Sequence, residues 1–289
     1  MPRHAILKNY DSLKKEGKKS RYSENIAGIL HSIYYECLDL LVTKPQEDLK
    51  SLVAGKNYFA FSNGNKLSRA INKDLFDPDI ARWEALHRAI HSNDVNDFEA
   101  DEITKILYSM AISFCASIDL LKDGDQKTPG TFFEYFIAFF FTWRVGVEPK
   151  SSIQILNIDG ENTELKTDFV YNLGPNSRKF HMPIKTSTRE RSIMLWAHQK
   201  LLDGVYGTER FMGTPVLLAE TKRDKKKKEV VEICLPEQWR VYQLYIAKLK
   251  RIYYLDTPEV YKGLSNVFPP LIVRPFGEFF FEWSELTPS

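Results

Sequence analysis

The sequence has little of several things, and each shortage excludes something. Cysteine occurs three times in 289 residues, at Cys37, Cys115 and Cys234, far apart and among apolar neighbours. An odd, scattered set is no disulfide framework and lacks the spacing of a zinc site, so buried free thiols in a reducing cytoplasm are expected. Net charge is scarce as well: 40 Lys and Arg against 38 Asp and Glu leave +2. That balance does not itself announce a nucleic-acid partner, and any basic surface must be local. There is no long hydrophobic run. The most apolar stretch, Phe132 to Trp143, is interrupted by Glu134 and is too short to span a bilayer. Residues 1–25 are too polar for a signal peptide, and none is expected. These absences point to a cytoplasmic protein with no membrane partner.

What is present is core-forming material. Hydrophobic residues make up 43% of the chain and aromatics 13%, enough for one large domain or two small ones. Residues 1–24 hold Lys8, Lys14, Lys15, Lys18, Lys19 and Arg21 with few apolar anchors. This reads as a solvated, partly mobile arm, with a phosphate-contacting arm as the alternative. From Ser23 to Val42, apolar residues at Ile26, Ile29, Leu30, Ile33, Leu38 and Leu41 predict a helix. Similar stripes predict helices around Trp83, Leu86 and Ile90 and from Asp101 to Leu121, while residues 57–80 are turn-rich with a short helix at 66–72. His87 and His91 stand four apart, but no carboxylate or cysteine joins them at ligand spacing, and they read as helix surface. The expected division is a mostly helical region over residues 1–122 and a second region over 123–289.

The second region alternates helix and strand. Thr128-Pro129-Gly130 opens a helix whose phenylalanines run nearly all round, so it is expected at the centre of the fold. Glu134 lies inside that apolar run, and a buried carboxylate must be paired, protonated or metal-linked. A strand is expected from Ser152 to Ile158, joined through Asp159-Gly160 to a second strand that carries Asp168. After the Asn172 to Asn176 turn, Lys179 to Lys185 forms a third. Adjacent strands can bring Asp168 and Lys185 to one edge of a sheet, the arrangement a Mg2+-dependent phosphodiesterase needs. A helix follows from Thr188 to Gly204, with Arg189, Glu190 and Arg191 in its first turn. Arginine can donate to guanine O6 and N7, and glutamate can accept from cytosine amino groups, so this run suits adjacent G:C pairs. A plain charge-neutral helix start is the alternative. Two further strands, Thr214 to Glu220 and Glu229 to Leu235, flank a lysine-rich tip at 222–228 that either grips phosphates or is a solvated turn. A helix from Pro236, a strand from Arg251 to Leu255 and an aromatic strand from Phe279 to Trp283 complete the expected order.

Residues 128–256 resemble the PD-(D/E)XK nuclease superfamily, and within it the type II restriction endonucleases. Thr167-Asp168 stands where the family has Pro-Asp, and Pro183-Ile184-Lys185 where it has Asp/Glu-any-Lys. The segment Lys185-Thr186-Ser187-Thr188-Arg189-Glu190-Arg191 is similar to the subgroup that reads CC and GG dinucleotides. That subgroup carries its second acid on the following helix, a little over a dozen residues past the lysine. Here that region holds His198 and Gln199, with a neutral amide where the pattern has a carboxylate.

The resemblance implies an α/β fold, a PD-(D/E)XK restriction-endonuclease-like core with a mixed sheet flanked by helices. The mostly helical N-terminal region would pack around it. It implies Asp168 as Mg2+ ligand, Lys185 as the group that places the water and stabilises developing charge, and Glu134 or Gln199 as completing the site. Glu134 would be a second metal ligand, with an ion pair to a nearby Arg or Lys as its alternative. Arg189, Glu190 and Arg191, with Thr186, Ser187 and Thr188, would contact double-stranded DNA. A homodimer is implied, because a palindromic site needs two-fold symmetry; pairing of dimers into a tetramer is left open. The expected function is Mg2+-dependent cleavage of duplex DNA at a specific G:C-containing site. A structure-specific repair or junction nuclease and a non-catalytic DNA-binding protein of the same fold are the alternatives.

Overall fold

The computed structural model describes residues 2–92, 94–156, 162–224 and 226–286. The chain opens with α1 (Pro2–Gly17) and α2 (Glu24–Val42), which pack along each other. Residues 1–24 are therefore not a solvated arm. Ile6, Tyr10 and Leu13 recur at steps of four and three and are buried, so a sparse apolar stripe docks the helix while Lys8, Lys15 and Lys18 stay exposed. The Ser23 hydroxyl accepts the Ile26 N–H and caps α2.

β1 (Gln46–Ser51) follows, and strands then appear where turns and a short helix were expected: β2 (Tyr58–Asn63), β3 (Lys66–Leu67) and β4 (Ile71–Asn72). Tyr58 to Phe61 is a buried, aromatic-rich run that suits a central strand, and Gly64-Asn65 turns β2 into β3. The helices α3 (Ile80–His91), α4 (Ala100–Leu121) and α5 (Lys127–Val145) follow the apolar periodicity. α4 is long and apolar enough to cross a membrane but is almost wholly buried inside the fold. Asp125 starts α5 by accepting the Thr128 N–H and hydroxyl at 2.9 and 2.7 Å, so the threonine is a donor in the first turn and not the cap.

The remaining elements are β5 (Lys150–Leu156), β6 (Asn162–Asn172), β7 (Lys179–Met182), β8 (Ile184–Lys185), a 3-10 turn at Arg189–Arg191, and α6 (Ile193–Tyr206). Then come β9 (Phe211–Gly213), β10 (Val216–Leu217), β11 (Thr221–Asp224), β12 (Glu229–Glu232), α7 (Pro236–Tyr245) and β13 (Ile252–Tyr254). The chain finishes with α8 (Glu259–Lys262), β14 (Val273–Pro275), a 3-10 turn at Phe276–Phe280 and α9 (Trp283–Leu286). The expected Asp159-Gly160 turn lies outside the described residues. The aromatic segment from Phe279 is not a strand. Phe276, Phe279 and Phe280 are buried at i, i+3 and i+4, a helical spacing, and Phe279 stacks on Phe141 of α5 with centroids 4.3 Å apart.

Two four-stranded sheets, β5-β6-β7-β9 and β14-β13-β10-β8, carry Asp168 and Lys185. They are joined at β7–β8 and β9–β10, where the chain passes from one to the other. Pro183, with no N–H to donate, separates β7 from β8. Val216 N donates to the Pro183 carbonyl at 2.9 Å and Thr214 N to the His181 carbonyl at 2.8 Å, so the parallel ladder runs through the junction. The result is one curled mixed sheet with α5 and α6 against it. A third sheet, β11-β12-β1-β2-β3 with β4 on β2, mixes both ends of the chain: β1 pairs in parallel with β12. The main hydrophobic cluster likewise runs from Ile6 to Leu286, across residues 122 and 123.

Candidate active site

The β6–β7 register pairs Phe169 with Met182, which sets Asp168 beside Pro183. Because β7 stops at that proline, the Ile184 N–H finds no strand acceptor there and donates to Asp168 Oδ2 at 2.8 Å. The same oxygen takes Lys185 Nζ at 2.5 Å. One carboxylate thus binds the backbone and the side chain of the tripeptide Pro183-Ile184-Lys185. Asp168 is 20% exposed and Lys185 43%, so the pair stands at the mouth of a pocket. Lys166, Thr167, Pro183, Met194, Leu195 and His198 line it with them.

Glu134 reaches the same neighbourhood from α5, which packs on β8. Burial, and after it the negative charge of Asp168, push the Glu134 carboxyl up to about 7, against the opposing pull of Lys185 and Arg21. Among the described residues no salt bridge holds it, and the charges of Lys185 and Arg21 act on it without a direct ion pair. His198 arrives from α6. Its ring is half-buried and held below the usual histidine range chiefly by that burial, while Asp168 raises it and Lys185 lowers it.

Gln199 goes elsewhere. It is 1% exposed. Its amide nitrogen donates to Asp203 Oδ1 at 2.9 Å and to the Phe211 carbonyl at 2.8 Å, which locks α6 onto β9. Neighbouring residues on an α-helix point about 100° apart. Facing His198 into the pocket therefore turns Gln199 into the packing. Nothing in the spacing alone separates the two; the side of α6 that meets β9 does.

The donor set fits a divalent cation. Asp168 and Glu134 offer hard carboxylate oxygens, and Glu134 is desolvated beside a second negative charge that a cation would offset. Among the described residues, no three His, Cys, Asp or Glu side chains are gathered as a preformed metal cluster.

A wide groove adjoins the site. Thr186, Ser187, Thr188, Arg189 and Arg191 line it, together with Lys222 and Arg223 of β11 and with Asp123 and Gln126. Arg189 to Arg191 is not the first turn of an α-helix, because α6 starts only at Ile193. Arg189 and Arg191 are exposed; the Glu190 side chain lies outside the described residues. The Ser187 and Thr188 hydroxyls turn inward and donate to Glu220 at 2.9 and 2.6 Å. At the lysine-rich tip, Asp224 accepts the N–H groups of Lys226 and Lys227 at 2.8 and 3.0 Å, which shapes a tight turn with the lysines outside; Lys225 lies outside the described residues.

No protein-family model matches this sequence, and no curated protein matches it. Solved structures do. The chain superposes on the type IIP restriction endonuclease Kpn2I with a TM-score of 0.81, over 97% of each chain, at 25% identity. A looser likeness, TM-score 0.43 at 13% identity over 71% of this chain and 89% of the other, is to the restriction endonuclease PspGI in complex with substrate DNA. The fold is that of the restriction endonucleases. The end-to-end match to Kpn2I supports a type II restriction endonuclease.

Proposed function

We propose that this enzyme hydrolyses phosphodiester bonds in duplex DNA at a specific, palindromic, G:C-containing site, as a cytoplasmic homodimer that depends on Mg2+. The observation that carries the reading is the Asp168–Lys185 contact at 2.5 Å, with Glu134 and His198 near enough to feel its charges, and a groove lined by Arg189 and Arg191 that begins at Thr186, the residue after Lys185.

Asp168 and Glu134 would hold the cation, with His198 in the place where a second acid was sought on α6. When bound, the cation supplies Lewis-acid charge that polarises the phosphate and acidifies water. Lys185 offers its ammonium to a non-bridging phosphate oxygen and, released from Asp168, orients the attacking water. Pro183 keeps Lys185 at the pocket mouth by ending β7. Arg189 and Arg191 donate to guanine edges, Glu190 accepts from cytosine amino groups, and the lysines at 222–228 contact phosphates. The CC/GG resemblance supports the G:C assignment, and two-fold symmetry in such a site requires two copies of the chain.

The test is incubation with a long duplex DNA, with and without Mg2+, beside Asp168→Ala and Lys185→Ala. Discrete fragments that require the metal and both residues support the reading, and their ends give the site. Binding without cleavage under varied metals would leave a DNA-binding protein, and cleavage confined to branched DNA a repair nuclease.

A further inference from the structure

Glu220 does not line the Asp168–Lys185 pocket, yet it is fully buried and, among the described residues, accepts more hydrogen bonds than Asp168. Ser187 Oγ donates to Oε2 at 2.9 Å, Thr188 Oγ1 to Oε1 at 2.6 Å, Thr188 N to Oε1 at 3.0 Å, and Arg189 N to Oε2 at 3.1 Å. Tyr254 OH donates to Oε1 from the core side at 3.0 Å. A buried carboxylate is costly unless its charge is met. Here it is met by neutral donors, and all but the tyrosine belong to three consecutive residues. Successive N–H groups turned onto one anion form a nest.

The position of Glu220 follows from the sheet. β10 pairs in parallel with β8, Leu217 opposite Lys185. The ladder continues as Leu218 N donates to the Lys185 carbonyl at 3.1 Å and Ala219 N to the Thr186 carbonyl at 3.2 Å. At the next residue the backbone ladder stops and a side chain takes over: Glu220 receives residues 187–189. Arg189 sits there at φ 40°, a left-handed conformation that arginine rarely adopts and that surrounding contacts must impose.

We propose that Glu220 is the positioning residue of the base-reading segment, fixing the backbone at Ser187–Arg189 so that Arg189 and Arg191 meet DNA in a single register tied to Lys185. The proposal rests on the DNA-cleaving reading above. Glu220 touches no DNA in it; it acts through the segment it holds. A glutamine at this position offers one acceptor oxygen and an amide that cannot receive the N–H donors.

The experiment compares Glu220→Gln, Thr188→Val and Tyr254→Phe with the wild type. The last two each remove one hydroxyl from the same oxygen, one on the segment and one in the core. Melting temperature, affinity for a non-specific duplex, and cleavage of the mapped site against a duplex with one altered base pair are read for each. Glu220→Gln and Thr188→Val lower the cognate-to-altered ratio by about tenfold or more, the worth of a bidentate base contact. Tyr254→Phe keeps that ratio while losing as much melting temperature as Thr188→Val, and non-specific affinity holds in all. Equal loss of discrimination in Thr188→Val and Tyr254→Phe, or full discrimination in Glu220→Gln, overturns the proposal. If Glu220→Gln does not fold, the other pair decides. Failure of the functional reading shows in the wild type instead, as absence of site-specific cleavage; preferential binding of one duplex then serves for the same comparison.

Discussion

His181 gives a prediction whose size follows from its surroundings. It lies on β7, fully buried, with Nε2 2.9 Å from the Thr167 hydroxyl. Its Nδ1 and the Gln199 Oε1 beside it are both buried without a hydrogen bond of good geometry, and the pull of Gln199 on a second proton is weaker than the cost of burial. Burial first, and the neighbouring His198 second, push the ring down to about 3. An unfolded histidine titrates near about 6.5. The folded state therefore binds fewer protons than the unfolded state between these values. Its contribution to stability is complete above about pH 6.5 and is lost as the pH falls toward about 3, at about 1.4 kcal/mol per pH unit. From about pH 8 to about pH 5 the loss from this one group is about 2 kcal/mol. Urea unfolding of the wild type and His181→Asn across that range measures it. Asparagine keeps a donor near Gln199 but cannot titrate. The variant is less stable at high pH, from lost packing, and the gap shrinks by about 2 kcal/mol on acidification. Stability curves that stay parallel would refute the reasoning, because carboxylates elsewhere affect both proteins alike.

Three further outcomes are expected. His198→Glu places a carboxylate beside Asp168 and lowers the Mg2+ concentration needed for half-maximal cleavage, whereas Gln199→Glu, buried against Phe211, gives no such gain and loses stability; a metal titration of both variants checks this. Gly277→Ala drives a Cβ onto the Ala100 carbonyl at the start of α4, with the carbonyl carbon at 2.8 Å. Backbone cannot yield as a side chain does, so the cost is about 3 kcal/mol in chemical denaturation. Lys56→Met strands Glu232 and Asp256, now 2.7 and 2.6 Å from the ammonium and nearly buried. Denaturation should show a loss of about 3–5 kcal/mol, and a further Asp256→Asn change should recover part of it.

The parts of the fold that were legible in the sequence are those whose side chains report their own surroundings. The phenylalanines of α5, the stripe of α4 and the pairing of Asp168 with Lys185 were all written in spacing. What escaped depends on partners far along the chain. Gln46–Ser51 is polar and becomes a strand only because β2 and β12 flank it. Phe276, Phe279 and Phe280 look like a strand if the aromatics are simply counted, and like a turn of helix once their period is measured. The choice between His198 and Gln199 turns on a rotation of one residue, which only the packing of α6 fixes. Glu220 ends an apolar run, Val216-Leu217-Leu218-Ala219, and that buried acid was a signal; its backbone donors were not visible in any residue type.

The parallel pairing of β1 with β12 also sets a timetable. Lys50 and Glu229 are ion-paired at 2.8 Å although 179 positions separate them. On a ribosome adding about 5–20 residues per second, β1 waits about 10–40 s for that partner to be made. Asp168 and Lys185 are synthesised within that interval, while Glu220 and the strands β10 and β12 are still to come. A nascent chain that has just passed Lys185 therefore holds the Asp168–Lys185 pair before Glu220 and the strands that flank it are made.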